Sequence, residues 1–311
     1  MTDARAARAR NRIGILLLMS LALFWGVNWP AIKLSVTDVP VWTYRTICLL
    51  TGGLGLLGIC RLAGISIVVP RNEWRALGVA GLFNITGWHL LSALGVSHMG
   101  GGKASIVAFT MPLWAALVSA LWLKERITAL TTVALAVGFM GLVVLMAPDW
   151  RAISAQPLGP IFMLGAALSW AIGTVALKRS TFTIPTASLA GWQMLLGGVP
   201  IYMGALVLDR GFDPAQVGNS AWIAVLYSAL IPMIYCHWAW FRVVQIYPAV
   251  VAAIGTLAIP VVGVISSAVV GGEAIGWSEV ASLTLVLASL VLVLIVPNLR
   301  RGKGQAVPEP E

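Results

Sequence analysis

The sequence predicts an all-α polytopic membrane protein with ten transmembrane helices in two inverted five-helix repeats. Three observations carry this expectation. The first is composition: of 311 residues, 59% are hydrophobic and only 10% charged, with a mean hydropathy of +0.92, outside the range of soluble domains. The second is a series of apolar windows, about ten of them, each long enough to cross roughly 30 Å of hydrocarbon. The third is an internal repeat. The stretch Thr110–Arg126 carries Pro112 and Glu125, and 148 residues further on Ile259–Ile275 carries Pro260 and Glu273 in the same places.

In chain order, residues 1–12 form a basic cytoplasmic tail with Arg5, Arg8, Arg10 and Arg12. The apolar run after it is too long for a signal peptide, and no small-residue cleavage site follows, so it reads as an uncleaved first span. Spans are expected near 13–34, 41–60, 74–96, 104–123, 128–147, 158–178, 186–208, 220–241, 249–270 and 277–297. Five of them make a first repeat over 13–147, and five make a second over 158–297. Residues 148–157 read as a linker and 298–311 as a polar cytoplasmic tail. A proline inside a long apolar helix frees a carbonyl and bends the helix; Pro30, Pro112 and Pro260 are therefore expected kinks. A carboxylate just past an apolar run must reach a membrane surface or a water-filled vestibule.

The repeat extends beyond its proline and glutamate. Phe24–Lys33 aligns with Ser169–Lys178 at an offset of 145, matching Trp25 to Trp170 and Lys33 to Lys178. After a slip of three residues, Arg45 faces Gln193, Trp74 faces Trp222 and His89 faces His237. Five spans per copy is odd, so the copies must lie inverted, which supplies the two near-equivalent states of alternating access. Placing the N-terminus inside puts fifteen of the twenty basic residues on the cytoplasmic side. Lys33, Lys103, Arg151 and Arg210 fall outside, with Arg45 inside a span. That bias sets both termini cytoplasmic in a multi-pass protein of the inner (plasma) membrane.

Two tandem five-helix copies, each with proline, twelve residues and glutamate, resemble the paired EamA domains of the drug/metabolite transporter superfamily. The last helix of the first copy has close-packing glycines, Gly138 and Gly141. The resemblance covers roughly residues 13–297. It implies ten helices around a central cavity and export of small metabolites, often amino acids or related compounds. The halves are not equivalent, since Gln193 replaces Arg45, and Val286 and Ser289 replace Gly138 and Gly141.

Candidate substrate contacts follow from membrane depth. His89 and His237 are symmetry-related ionisable residues inside spans, where a functional site is the default reading. The competing reading is a neutral imidazole bonded to a nearby carbonyl. Trp25 and Trp170 lie mid-span rather than at an interface, which favours a cavity wall over an anchor. Asn28, Ser92 and Thr174 add polar contacts suited to an amphiphilic solute. Arg45 either snorkels to the outer surface or anchors a substrate carboxylate. Candidate gate charges are Lys33, Glu125, Lys178 and Glu273. Topology restricts their pairing to cross-half partners, Lys33 with Glu273 and Lys178 with Glu125; the alternative is plain surface solvation.

Other classes are disfavoured. No His-Glu-x-x-His, Gly-x-Ser-x-Gly or pair of mid-span aspartates is present, so a membrane-embedded enzyme lacks its dyad or metal set. A sensor or scaffold would ordinarily carry a soluble domain. No cofactor or metal is expected, because the histidine pair has no third ligand nearby. Cys48, Cys60 and Cys236 lack redox or zinc spacing and read as packing residues. The triplet Asn84-Ile85-Thr86 lies within a span and cannot be glycosylated there. The Gly100–Gly102 run lacks the context of a phosphate loop and reads as a tight turn. The net charge of +9 has no basic stripe interleaved with aromatics, which disfavours nucleic acid. The expected partners are a small-molecule substrate and the lipid bilayer; the oligomeric state is not legible.

Overall fold

In the computed structural model, which describes residues 2–124, 127–148, 157–247 and 255–292, every described span is helical. Helix is one of only two architectures that satisfy all backbone polar groups within hydrocarbon. The first half comprises α1 (Thr2–Asp38), α2 (Val41–Leu62), α3 (Trp74–Gly81), α4 (Trp88–Met99), α5 (Gly101–Ala108), α6 (Met111–Trp122) and α7 (Ala129–Met146). The second comprises α8 (Leu158–Arg179), α9 (Thr186–Gly197), α10 (Val199–Leu208), α11 (Asn219–Leu230), α12 (His237–Ile246), α13 (Ala258–Gly271) and α14 (Trp277–Leu290). Eight runs among the described residues are long and apolar enough to cross a membrane, and α13 and α14 are shorter apolar helices. The expected linker, apart from Pro148 and Pro157, lies outside the described residues, as do Glu125 and the 298–311 tail. The basic segment expected as a separate tail continues α1 back to Thr2.

Several spans are jointed. Between α3 and α4 the chain makes a π-helical turn at Leu82–Gly87, and between α11 and α12 a second one at Ile231–Cys236. They occupy corresponding places in the two halves. Between α4 and α5 the corner is a single residue, Gly100, at φ +87°, a conformation that only glycine adopts without strain. The prolines behave differently from the expected kinks. Pro30 sits within an unbroken α1, while Pro112 follows a turn at 109–110 and Pro260 follows one at 257. Both therefore stand in the first turn of a new helix, where the missing N–H costs nothing.

The halves pack reciprocally. Helix α1 lies against α11, α12 and α13 of the second half, and its mate α8 lies against α3, α4, α5 and α6 of the first. The remaining mates pair with each other, α2 with α9–α10 and α7 with α14. Both pairs are antiparallel. Thr43 at the start of α2 donates from N and Oγ1 to Asp209 Oδ2 just past α10, at 2.9 and 2.8 Å. At the far end Ser188 Oγ donates to Ser66 O at 2.7 Å. On α7, a Cβ at Gly138 would meet Ser289 and one at Gly141 would meet Val286, so the two helices descend past each other. The repeat's unequal residues are thus complementary: each glycine of one copy seats the replacement in the other.

Candidate functional site

The two π turns deliver the two histidines. A π turn adds a residue to the helical circuit, displaces the backbone ladder and is frequent at functional sites. In the second half, His237 Nδ1 lies 2.8 Å from Pro232 O inside the turn; a carbonyl only accepts, so Nδ1 is the donor. In the first half, His89 is buried and its Nδ1 has no partner. One mate is therefore locked by its own helix, and the other is left open.

Arg45 shares the His89 neighbourhood. Its side chain is 2% exposed, so it does not snorkel. Nε donates to His89 O at 2.6 Å, Nη2 donates to Ser92 Oγ at 3.0 Å, and the guanidinium lies 5.0 Å from the Tyr44 ring centre. Arg45, His89 and Ser92 thus form one cluster between α2 and α4. Trp25 forms a second with His237, edge-on at 5.7 Å and 87°, and with Trp240 at 6.3 Å. Trp170 packs on Trp88 at 5.4 Å. Thr174 is exposed and turns its hydroxyl to Trp170 O at 2.8 Å. Asn28 is half-buried with Oδ1 unpartnered.

The gate candidates meet at another place. Lys33 Nζ donates to Ser97 O at 2.7 Å, in the last turn of α4. Glu273 accepts from Gly101 N at 2.7 Å and Gly102 N at 2.9 Å, at the first turn of α5. Instead of pairing with each other, the two charges grip the same corner from opposite sides. Each sign matches the helix end that it meets, cation at the C-terminus and anion at the N-terminus. A cavity of about 460 Å³ opens beside them, lined also by Lys103, Ser278 and Glu279. Glu279 lies 3.6 Å from Lys103 and accepts from Gly276 N and Ser278 Oγ, both at 2.9 Å. Lys178 is exposed, and its expected partner Glu125 lies outside the described residues. Among the described residues, no three His, Cys, Asp or Glu side chains gather as a metal site.

Sequence reasoning missed Tyr44, Trp240, Glu279 and the Gly101–Gly102 amides. Trp240 was within reach, since it stands 148 residues after Ser92 and takes its place in the second half. The amides carry no side-chain signal at all.

Comparison with known proteins supplies the family. The model of the EamA-like transporter family matches residues 12–147 and again 157–295. The uncharacterized transporter YvbV of Bacillus subtilis is 29% identical over 283 residues, covering 89% of this chain and 90% of the relative. The uncharacterized inner membrane transporter YedA of Escherichia coli is 26% identical over 293 residues, 94% of each chain. A probable amino-acid metabolite efflux pump of Salmonella typhimurium is 25% identical over 293 residues, 92% of this chain and 96% of the relative. A crystal structure at 20% identity superposes with a TM-score of 0.63 over 93% of this chain and 98% of its own, and has the same fold. The chain is an integral membrane protein with two tandem repeats, and it belongs to the EamA-like transporter family.

Proposed function

We propose that the protein is a ten-span secondary transporter that exports small amphiphilic metabolites, such as amino acids, by alternating access between inverted repeats. The observation that carries this reading is the antiparallel packing of mates: α2 against α9–α10 and α7 against α14. A two-fold axis across such pairs turns one half upside down on the other. With five spans per half, each state open to one face then has a counterpart open to the other. The relative named as an amino-acid metabolite efflux pump supports the substrate class and direction.

In this reading the solute passes the Arg45–His89–Ser92 and Trp25–His237 clusters, with Asn28, Trp170 and Thr174 along its path. Both termini are cytoplasmic, in the plasma membrane, and the Lys33–Glu273 corner closes the outer side. Proteoliposomes challenged with a panel of labelled amino acids and nucleosides test the transport reading. His89→Ala and Trp170→Ala should each slow uptake of the transported solute while leaving the amount of folded protein unchanged. Normal uptake by both variants would move the pathway elsewhere. Single cysteines test the topology: one at Arg210 should react from outside and one at Arg179 from inside.

A further inference from the structure

Among the described residues, Arg45 is the one buried Arg or Lys side chain. The expected spans carry no Asp or Glu in their middles, and among the described residues no carboxylate pairs with this buried guanidinium. An unpaired buried cation is costly. Its hydrogen bonds occupy one side of the fork only. Nε is spent on His89 O and one Nη2 hydrogen on Ser92 Oγ, while the Nη1–Nη2 edge keeps the parallel donors that match a carboxylate. His89, whose carbonyl takes the Nε bond, has its Nδ1 buried without a partner. The Tyr44 ring lies under the guanidinium, 5.0 Å from its carbon.

We propose that Arg45 is the fixed anchor for a carboxylate on the transported solute, which makes the substrate class small carboxylate-bearing molecules with an apolar or aromatic body. This rests on the transporter reading above and narrows its substrate. The bound carboxylate completes the guanidinium fork and neutralises the buried charge, and the rest of the solute lies toward the tryptophans. Because Gln193 stands where the second half would carry its own arginine, the anchor is one-sided. The solute's carboxylate stays with the first half in both access states, so the solute keeps one polarity while the halves rock around it.

The test uses the full chain purified in detergent, with binding read by quenching of tryptophan fluorescence. The probes are phenylalanine, leucine and 3-phenylpropionate, each beside its carboxamide. At least one acid should bind the wild type tenfold or more tighter than its amide. Arg45→Gln should abolish that discrimination, and Arg45→Lys should keep part of it. The proposal is overturned if acid and amide bind alike, if Arg45→Gln discriminates as the wild type does, or if no acid binds. Should Arg45→Gln fail to fold, the wild-type comparison of acid with amide decides alone. Transport of neutral or cationic solutes measured in parallel separates the two readings. Their uptake without acid binding leaves a transporter without this anchor; acid binding without uptake of any solute leaves the anchor without a transporter.

Discussion

Single carboxylates at the ends of the spans do the work of joining the halves. Glu73, just ahead of α3, is buried, and its Oε1 accepts from Thr183 N at 2.8 Å and Thr183 Oγ1 at 2.5 Å. The Thr183 hydroxyl is the main reason that this carboxyl is held below the usual carboxylate range; burial opposes it, and backbone N–H groups add to it. A depressed folded value means that the bond's stabilisation is complete above the unfolded value, about 4.3. It is lost as pH falls through the folded value. Glu73→Gln should therefore unfold at a lower temperature than the wild type at pH 7, and the gap should narrow as the pH is taken below the unfolded value and through the folded one, read by thermal unfolding in detergent. A gap that persists in acid would mean that charge on Glu73 does not matter. At this scale the sequence was a poor guide. It marked His89 and His237 as equals, yet one is held by Pro232 O and the other is open, because only the second π turn contains a proline whose carbonyl points at the ring. It left Arg45 between surface and interior. What decides is the His89 carbonyl on α4, and no pattern in the chain announces a carbonyl's direction.

At the scale of elements, glycines set how closely the halves approach. Gly81 at the end of α3 and Gly197 at the end of α9 meet backbone to backbone, and a Cβ on Gly197 would collide with Gly81 O. The same carbonyl region is tied from the other side, since Thr86 Oγ1 in the first π turn donates to Gly197 O. Backbone cannot step aside as a side chain can, so Gly197→Ala should destabilise the protein by about 1–3 kcal/mol, measured as a fall in the chemical or thermal unfolding midpoint. Gly78→Ala is the control, because a Cβ there meets nothing within 4 Å; equal stability of the two variants would sink the prediction. Most helix ends among the described residues from Val41 to Leu208, and the glycine corner at Gly100, were legible, because hydropathy and glycine runs are local. The joints were not. A proline at the second or third position of a helix and one in its middle look alike in sequence, and the turn at 109–110 that separates them is Phe-Thr, with no breaker residue. The π turns carry no composition signal either.

For the molecule as a whole, the repeat made the pairing of halves legible long before any contact, while the closure between them was only half visible. Lys33 and Glu273 belong together in space, as their positions in the repeat imply, but they act through helix ends instead of on each other. Glu273 is positioned by Gly272 at φ +67°, which ends α13 and turns the chain back toward α5. Both carboxylate oxygens are then used on consecutive amides of the other half. Small residues make the seal close: a Cβ on Gly101 would meet Ser267 Oγ at 2.7 Å and the Trp29 backbone at 2.9 Å. Opening this side must break both bonds at once, and hydrogen bonds to a charged group contribute roughly 1.5–3 kcal/mol. Glu273→Gln can accept from only one amide and brings a donor against the other. A loss of only about 1.4 kcal/mol shifts an access equilibrium tenfold. Ser267 is fully buried beside the latch, so a cysteine placed there, in a background lacking the three native cysteines, should gain reactivity toward a membrane-impermeant maleimide several-fold when Glu273→Gln is added. Lys33→Gln removes a single bond to Ser97 O and should raise labelling less. Unchanged labelling in Glu273→Gln would show that the α1–α5–α13 packing holds this side shut without the carboxylate, and the latch would have no part in gating.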